Sequence, residues 1–229
     1  MELIRDLLAP IHVAAGFFAL VSFWIPALTR KGGPWHRRGG RWYTAAMAFI
    51  TVSSVVLALL LLAGERWQSG VFLLFLGLVT GTSLWNGWRV LRAKRDPAAY
   101  ATRLHTGIAL LNVLCGAALI AFGIALGRPL FYAFGPVGLL IGGGMLTVWL
   151  RRPEDPKYWL YQHLTGMIGS GIGAHVAFFA FGGRQLFGWG PSGFGLVLWI
   201  APLVIGTIAI TALNVYYGRG TAGTMRAPT

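Results

Sequence analysis

The chain is poor in acid. Only six of its 229 residues are Asp or Glu, against nineteen Lys and Arg. None of the six (Glu2, Asp6, Glu65, Asp96, Glu154 and Asp155) lies securely inside an apolar stretch. This argues against an ion pump or proton-coupled carrier built on membrane-embedded carboxylates. Cysteine is nearly missing as well. Cys115 stands alone in an apolar run, so an intrachain disulfide and an iron–sulfur cluster are both excluded. There is no Walker-type loop, His-Glu-x-x-His pair, Cys-x-x-Cys or Gly-x-Ser-x-Gly. Histidine is the one obvious candidate for a general base within the apolar segments. Long polar stretches are missing too: Arg30 to Arg41 and Arg92 to Arg103 span about a dozen residues each, the length of ordinary helix connections.

What is present is apolar. Hydrophobic residues make up 56% of the chain and charged residues 11%, with a mean hydropathy of +0.66. These values lie outside the soluble globular range. A bilayer-spanning helix needs about 20 mainly apolar residues. Seven stretches qualify: 7–29, 42–64, 69–91, 105–127, 129–150, 158–182 and 194–217. The fold class is therefore an all-α polytopic helical bundle, one domain over 1–217 with a short tail at 218–229. The first stretch reads as a retained span. Glu2, Arg5 and Asp6 precede it in place of a basic leader, and no small-residue cleavage site follows. The fifth, with Gly135-Pro136 and Gly142-Gly143-Gly144, is a candidate for a kinked or broken helix.

Charge orients the spans. Fifteen of the nineteen basic residues fall in one set of connections, and only Arg5, Arg66, Arg128 and Arg184 in the other. The positive-inside rule then puts the amino terminus outside and the carboxyl terminus in the cytoplasm, in agreement with an odd number of spans. Trp35, Trp42, Tyr43, Trp85, Trp88, Trp149, Tyr158, Trp159, Tyr161, Tyr216 and Tyr217 form an inner aromatic belt. Trp67 and Trp189 mark the outer surface. The net charge of +13 would suggest nucleic acid for a soluble chain. Here it fits anionic lipid headgroups at the basic loops.

The five histidines carry the functional argument, because a neutral imidazole in hydrocarbon needs a hydrogen-bond partner or a metal. Depth along the spans gives two tiers: an outer pair, His12 with His175, and an inner group of His36, His105 and His163. His163 and His175 lie about 18 Å apart on one helix, with azimuths differing by about 120°. Two stacked haems on one face would prefer about fourteen residues between ligands, not twelve. Beside these histidines runs a wall of small residues: Gly166, Gly169, Ser170, Gly171, Gly173 and Ala174. Such a wall lets another helix approach closely or leaves room for a flat macrocycle.

Two stretches resemble a domain of unknown function shared by uncharacterised bacterial multi-pass membrane proteins. One runs His12-x-x-x-Gly16, Ala19-Leu20, then His36-Arg37-x-x-Gly40-Arg41-x-Tyr43. The other runs Trp159-Leu160-Tyr161-x-His163, Gly166-Met167, Ser170-x-Ile172, Ala177-Phe178. Together they cover about a third of the chain. Arg103-Leu104-His105-Thr106-Gly107 departs from the family pattern. The resemblance implies membrane residence and marks His12, His36, Tyr43 and His163; the expected location is a bacterial inner membrane. Histidines on several spans are also architecturally similar to b-type transmembrane haem proteins.

The leading expectation is thus a haem- or metal-binding redox protein. His12 and His175 would ligate near the outer face, and His105 and His163, with His36, near the cytoplasmic one. Haem b, zinc or copper would be the cofactor; for a bare metal the ligands would be His12, His175 and His163. Arg37, Arg38, Arg41 and Arg103 would meet propionates or lipid phosphates. A redox partner or a second copy of the chain would complete the system. The alternatives are a non-enzymatic scaffold or small-solute carrier with structural histidines, and an intramembrane enzyme in which histidine-bound metal activates water.

Overall fold

The computed structural model describes residues 2–151, 155–182 and 195–222, and all of their regular structure is helical. The helices are α1 (Glu2–Leu28), α2 (Pro34–Leu62), α3 (Trp67–Arg89), α4 (Pro97–Tyr100), α5 (Arg103–Ala125), α6 (Pro129–Arg151), α7 (Tyr158–Ala177) and α8 (Gly195–Ala222). All but the one-turn α4 are long and apolar enough to cross a membrane, which makes seven spans. Arg152, Arg184, Trp189 and Arg226 lie outside the described residues.

Local chemistry fixes the boundaries. Gly32, at φ 75°, turns the chain between α1 and α2, and Pro34 opens α2 with its φ already helical. Gly127 (φ 60°) and Pro129 repeat the device between α5 and α6. Asp96 accepts from the amides of Ala98 and Ala99 (2.9 and 3.0 Å) and so nucleates α4 ahead of Pro97. Sequence reading missed that turn of helix in the 92–103 connection. It also missed the single π-helical turn Phe178–Gly182 that prolongs α7. The fifth span is one continuous helix despite Pro136. The expected break is not there, and Gly135, Gly138 and Gly142 instead face α5.

The third helix is the axis. Two-thirds of its apolar window is buried, against none of α8's. It packs against α2 and α7; α1 lies on α2 and touches α7; the α5–α6 hairpin closes the remaining side; α8 lies on α7. The largest cluster joins Phe72, Phe75 and Val79 of α3 to Phe131 and Phe134 of α6 and Val176 of α7. Two of the expected belt aromatics point inward. Tyr43 and Tyr158 are buried, whereas Trp35, Trp42, Trp88, Trp149 and Tyr216 are exposed to the surroundings.

The small-residue wall of α7 is spent on packing. A Cβ on Gly166 would lie 2.5 Å from the Gly87 nitrogen and 2.6 Å from the Ser83 carbonyl oxygen of α3. One on Gly173 would meet Thr80, and one on Gly171 the Phe23 ring of α1. Backbones this close leave no slot for a macrocycle along that face.

Candidate functional sites

All five imidazoles have a partner. His12 Nδ1 lies 2.7 Å from Ser53 Oγ on α2. The Ser53 hydroxyl donates in turn to the carbonyls of its own helix (Phe49 2.8 Å, Ile50 3.1 Å), so it accepts from His12. The other four face backbone carbonyls, which only accept, so the ring nitrogen must carry the hydrogen. His36 Nδ1 donates to Pro26 O (3.0 Å), His163 Nδ1 to Gly87 O (2.7 Å), His175 Nδ1 to Gly171 O (2.8 Å), and His105 Nε2 to Met145 O (3.3 Å). In the neutral form, four rings therefore keep an Nε2 lone pair, and His105 keeps one on Nδ1.

The expected outer pair is not brought together. The His175 ring packs edge-on against Phe23 (5.4 Å between centroids) and Trp24 (5.8 Å). Those residues lie eleven and twelve positions beyond His12 on α1, roughly 17 Å along the axis at 1.5 Å per residue. His12 turns to α2 instead. Equal counting from the membrane surface misjudged the heights at which α1 and α7 pass.

The inner group divides. The rings of His36 and His163 lie 6.4 Å apart between centroids, from segments 127 residues distant in sequence. Each bonds a carbonyl in the last turn of a helix, Pro26 of α1 and Gly87 of α3, where no amide of the continuing helix is available. Lys31 Nζ shares the α1 end, 2.8 Å from Pro26 O and 2.6 Å from Ala27 O. Lys94 lies with its ammonium 4.2 Å from the centroid of Trp159, one turn before His163.

His105 belongs to a different neighbourhood. It is fully buried, with its ring 4.7 Å from Tyr100 and 6.0 Å from Trp85. The Arg89 guanidinium sits over Trp85 (4.9 Å) and Tyr100 (5.5 Å). It donates to the carbonyls of Tyr100 and Ala99 and to Thr102 Oγ1 (3.2 Å), so it clamps α4 to the end of α3. Burial pushes the Tyr100 phenol above its ordinary range while the Arg89 charge pulls the other way, and the phenol stays protonated at neutral pH. Nearby, Tyr158 donates to the carbonyl of Ala93. Sequence reading singled out none of Tyr100, Arg89 or Ser53, because nothing in their local pattern separates them from belt and loop residues.

Among the described residues no group of three or more His, Cys, Asp or Glu side chains is arranged to hold a metal ion. Comparison with family models, with curated proteins and with solved structures finds no match to this chain.

Proposed function

We propose that this multi-pass membrane protein is a metal-binding protein of redox type, with its ion held between His36 and His163 at the basic end of the bundle. The observation that carries this reading is the 6.4 Å spacing of two imidazoles whose Nδ1 hydrogens are both fixed on backbone carbonyls. That is how metal-ligating histidines are commonly held, since the outer hydrogen bond sets the tautomer and leaves Nε2 free.

The spacing also bears on which metal would fit. With metal–nitrogen bonds of about 2.0–2.1 Å, a ring centroid lies roughly 3.2 Å from the ion, so two ligand rings lie at most about 6.5 Å apart. A tetrahedral angle would bring them to about 5.3 Å on the same bond lengths. The observed 6.4 Å is close to the upper limit, which would be met by a nearly linear pair with the two Nε2 atoms facing each other. Such a pair suits axial ligation of haem iron or two-coordinate Cu(I). The closed glycine wall does not fit a porphyrin beside His163, so a bare ion is the better occupant. The positive charges of Lys31 and Lys94 make a singly charged ion easier to accommodate than a divalent one. Bound copper would supply one-electron chemistry, and the imidazoles of His36 and His163 would hold and orient it.

In this reading the basic end faces the cytoplasm of a bacterial inner membrane, where Arg37, Arg38, Arg92 and Arg95 meet anionic headgroups. A second reading rests on an observation of its own. Every imidazole is already bonded to the protein, as in a scaffold or carrier with structural histidines. Elemental analysis and an absorption spectrum of detergent-purified protein after Cu(I) loading separate the two. The metal reading expects about one copper per chain, lost in His36→Ala and in His163→Ala and kept in His12→Ala and His175→Ala. A folded wild-type protein that takes up no copper leaves the scaffold reading standing.

A further inference from the structure

The seam between α3 and α5 contains buried polar atoms that the protein leaves unpaired. His105 Nδ1, Tyr100 OH, Asn112 Oδ1 and Asn86 Oδ1 are each buried and have no hydrogen-bond partner among the described atoms. Tyr100, His105 and Asn112 have no solvent-accessible surface, and Asn86 is 6% exposed. Trp85 and Thr82 of α3 lie against His105 and Asn112 of α5. Asn112 Nδ2 donates to Thr82 Oγ1 of α3 (3.0 Å) and to Ile108 O (2.8 Å), which fixes its amide orientation and leaves Oδ1 as the free acceptor. Asn86 lies one turn beyond Thr82 on α3. His105 lies two turns before Asn112 on α5, about 10 Å along the axis, and Tyr100 is in ring contact with it.

The chemistry of the four atoms is lopsided. Two amide oxygens only accept. His105 Nδ1 also accepts, because Nε2 carries the hydrogen given to Met145. The sole donor is the Tyr100 hydroxyl. In a bilayer, unsatisfied groups of this kind cost several kcal/mol each, and buried groups are otherwise paired with protein or with ordered water. The missing partner must donate hydrogens. A metal ion would satisfy acceptors too, but the Arg89 guanidinium beside Tyr100 opposes a cation, and α3 and α5 carry no carboxylate to balance one.

We infer that the α3–α5 seam binds internal water, with molecules that accept from Tyr100, donate to His105 Nδ1 and continue to Asn86 and Asn112. The result is a hydrated polar chain reaching from the Arg89 end of the bundle into its middle. It is independent of the His36–His163 pair and stands or falls separately.

Two measurements on the full chain test it. In lipid bilayers, solid-state NMR with ¹⁵N-labelled histidine should show magnetisation transfer from water to the His105 ring, and Tyr100→Phe should weaken that transfer. Thermal unfolding gives the second readout. Losing a water-bonded hydroxyl should lower the Tm of Tyr100→Phe by about 2–4 °C, the shift that about 1 kcal/mol gives in a chain of this size. Removing a dry, unpaired hydroxyl should leave Tm unchanged or raise it. No transfer to His105 in the wild type, or an unchanged or raised Tm in Tyr100→Phe, overturns the inference.

Discussion

A buried hydroxyl pair at the α2–α7 contact shows how unequal the two ends of one hydrogen bond are. Ser170 already donates to Met167 O (2.9 Å), so Tyr43 must donate to Ser170 across 2.8 Å. Tyr43→Phe removes the donor and leaves Ser170 satisfied, at a cost of about 0.5–1.5 kcal/mol. Ser170→Ala strands the Tyr43 hydroxyl in a fully buried position and should cost about 1–3 kcal/mol. Thermal unfolding in one detergent should therefore rank Ser170→Ala below Tyr43→Phe; the opposite order means the hydroxyl finds another acceptor. Sequence marked Tyr43 and Ser170 separately, one as a belt residue and the other as part of a small-residue wall. Their bond was beyond reach, because it depends on which face of α2 turns toward α7. The same limit explains the histidines: counting along a span misses how far α1 and α7 are offset, and azimuth and tilt decide that His163 meets His36 and that His12 meets Ser53.

At the scale of elements, close approach is the controlling quantity. Gly166 on α7 and Gly87 on α3 touch backbone to backbone, whereas Gly143 and Gly144 on α6 have open space where a Cβ would stand. Gly166→Ala should push α3 and α7 apart and destabilise by about 1–3 kcal/mol, the usual cost of overpacking. Gly144→Ala should be neutral or stabilising by up to about 1 kcal/mol, through helix propensity. Melting both variants side by side checks the contrast, and an equal loss in each would refute it. Composition alone makes these glycines look alike. The spacing Gly166, Gly169, Gly173 identifies a contact face, yet it does not say whether a helix or a cofactor fills it. The neighbouring clamp makes a further prediction. Arg89 uses the planar fork of its guanidinium to hold two carbonyls and Thr102 at once, which an ammonium cannot copy. Arg89→Lys should keep the charge but free the Pro97–Tyr100 turn, seen as faster amide exchange there with the spans unchanged.

For the whole molecule, the spans were plain in the sequence because bilayer thickness demands a run of apolar residues that no soluble fold of this size requires. Their ends were less so: α2 begins at Pro34, eight residues before the apolar run, and carries Arg37, Arg38 and Arg41 on helix rather than in a loop. The charge asymmetry survives that shift. Arg30, Lys31, Arg37, Arg38, Arg41, Arg89, Arg92, Lys94, Arg95, Arg103, Arg151 and Lys157 gather where α1, α3 and α6 end, against Arg5, Arg66 and Arg128 at the other end. Each basic residue near an anionic leaflet contributes about 1 kcal/mol, so an excess of this size would bias the insertion direction even if several contribute little. Single-cysteine variants in a Cys115→Ala background make the direction measurable. With a membrane-impermeant maleimide, Glu65→Cys should react in right-side-out vesicles, and Arg38→Cys and Arg95→Cys only after the membrane is opened. The reverse pattern would invert the bundle. It would place His36 and His163 at the outer surface, where the proposed copper site would draw on a different metal pool and a different electron partner, so this labelling decides which compartment that proposed site would face.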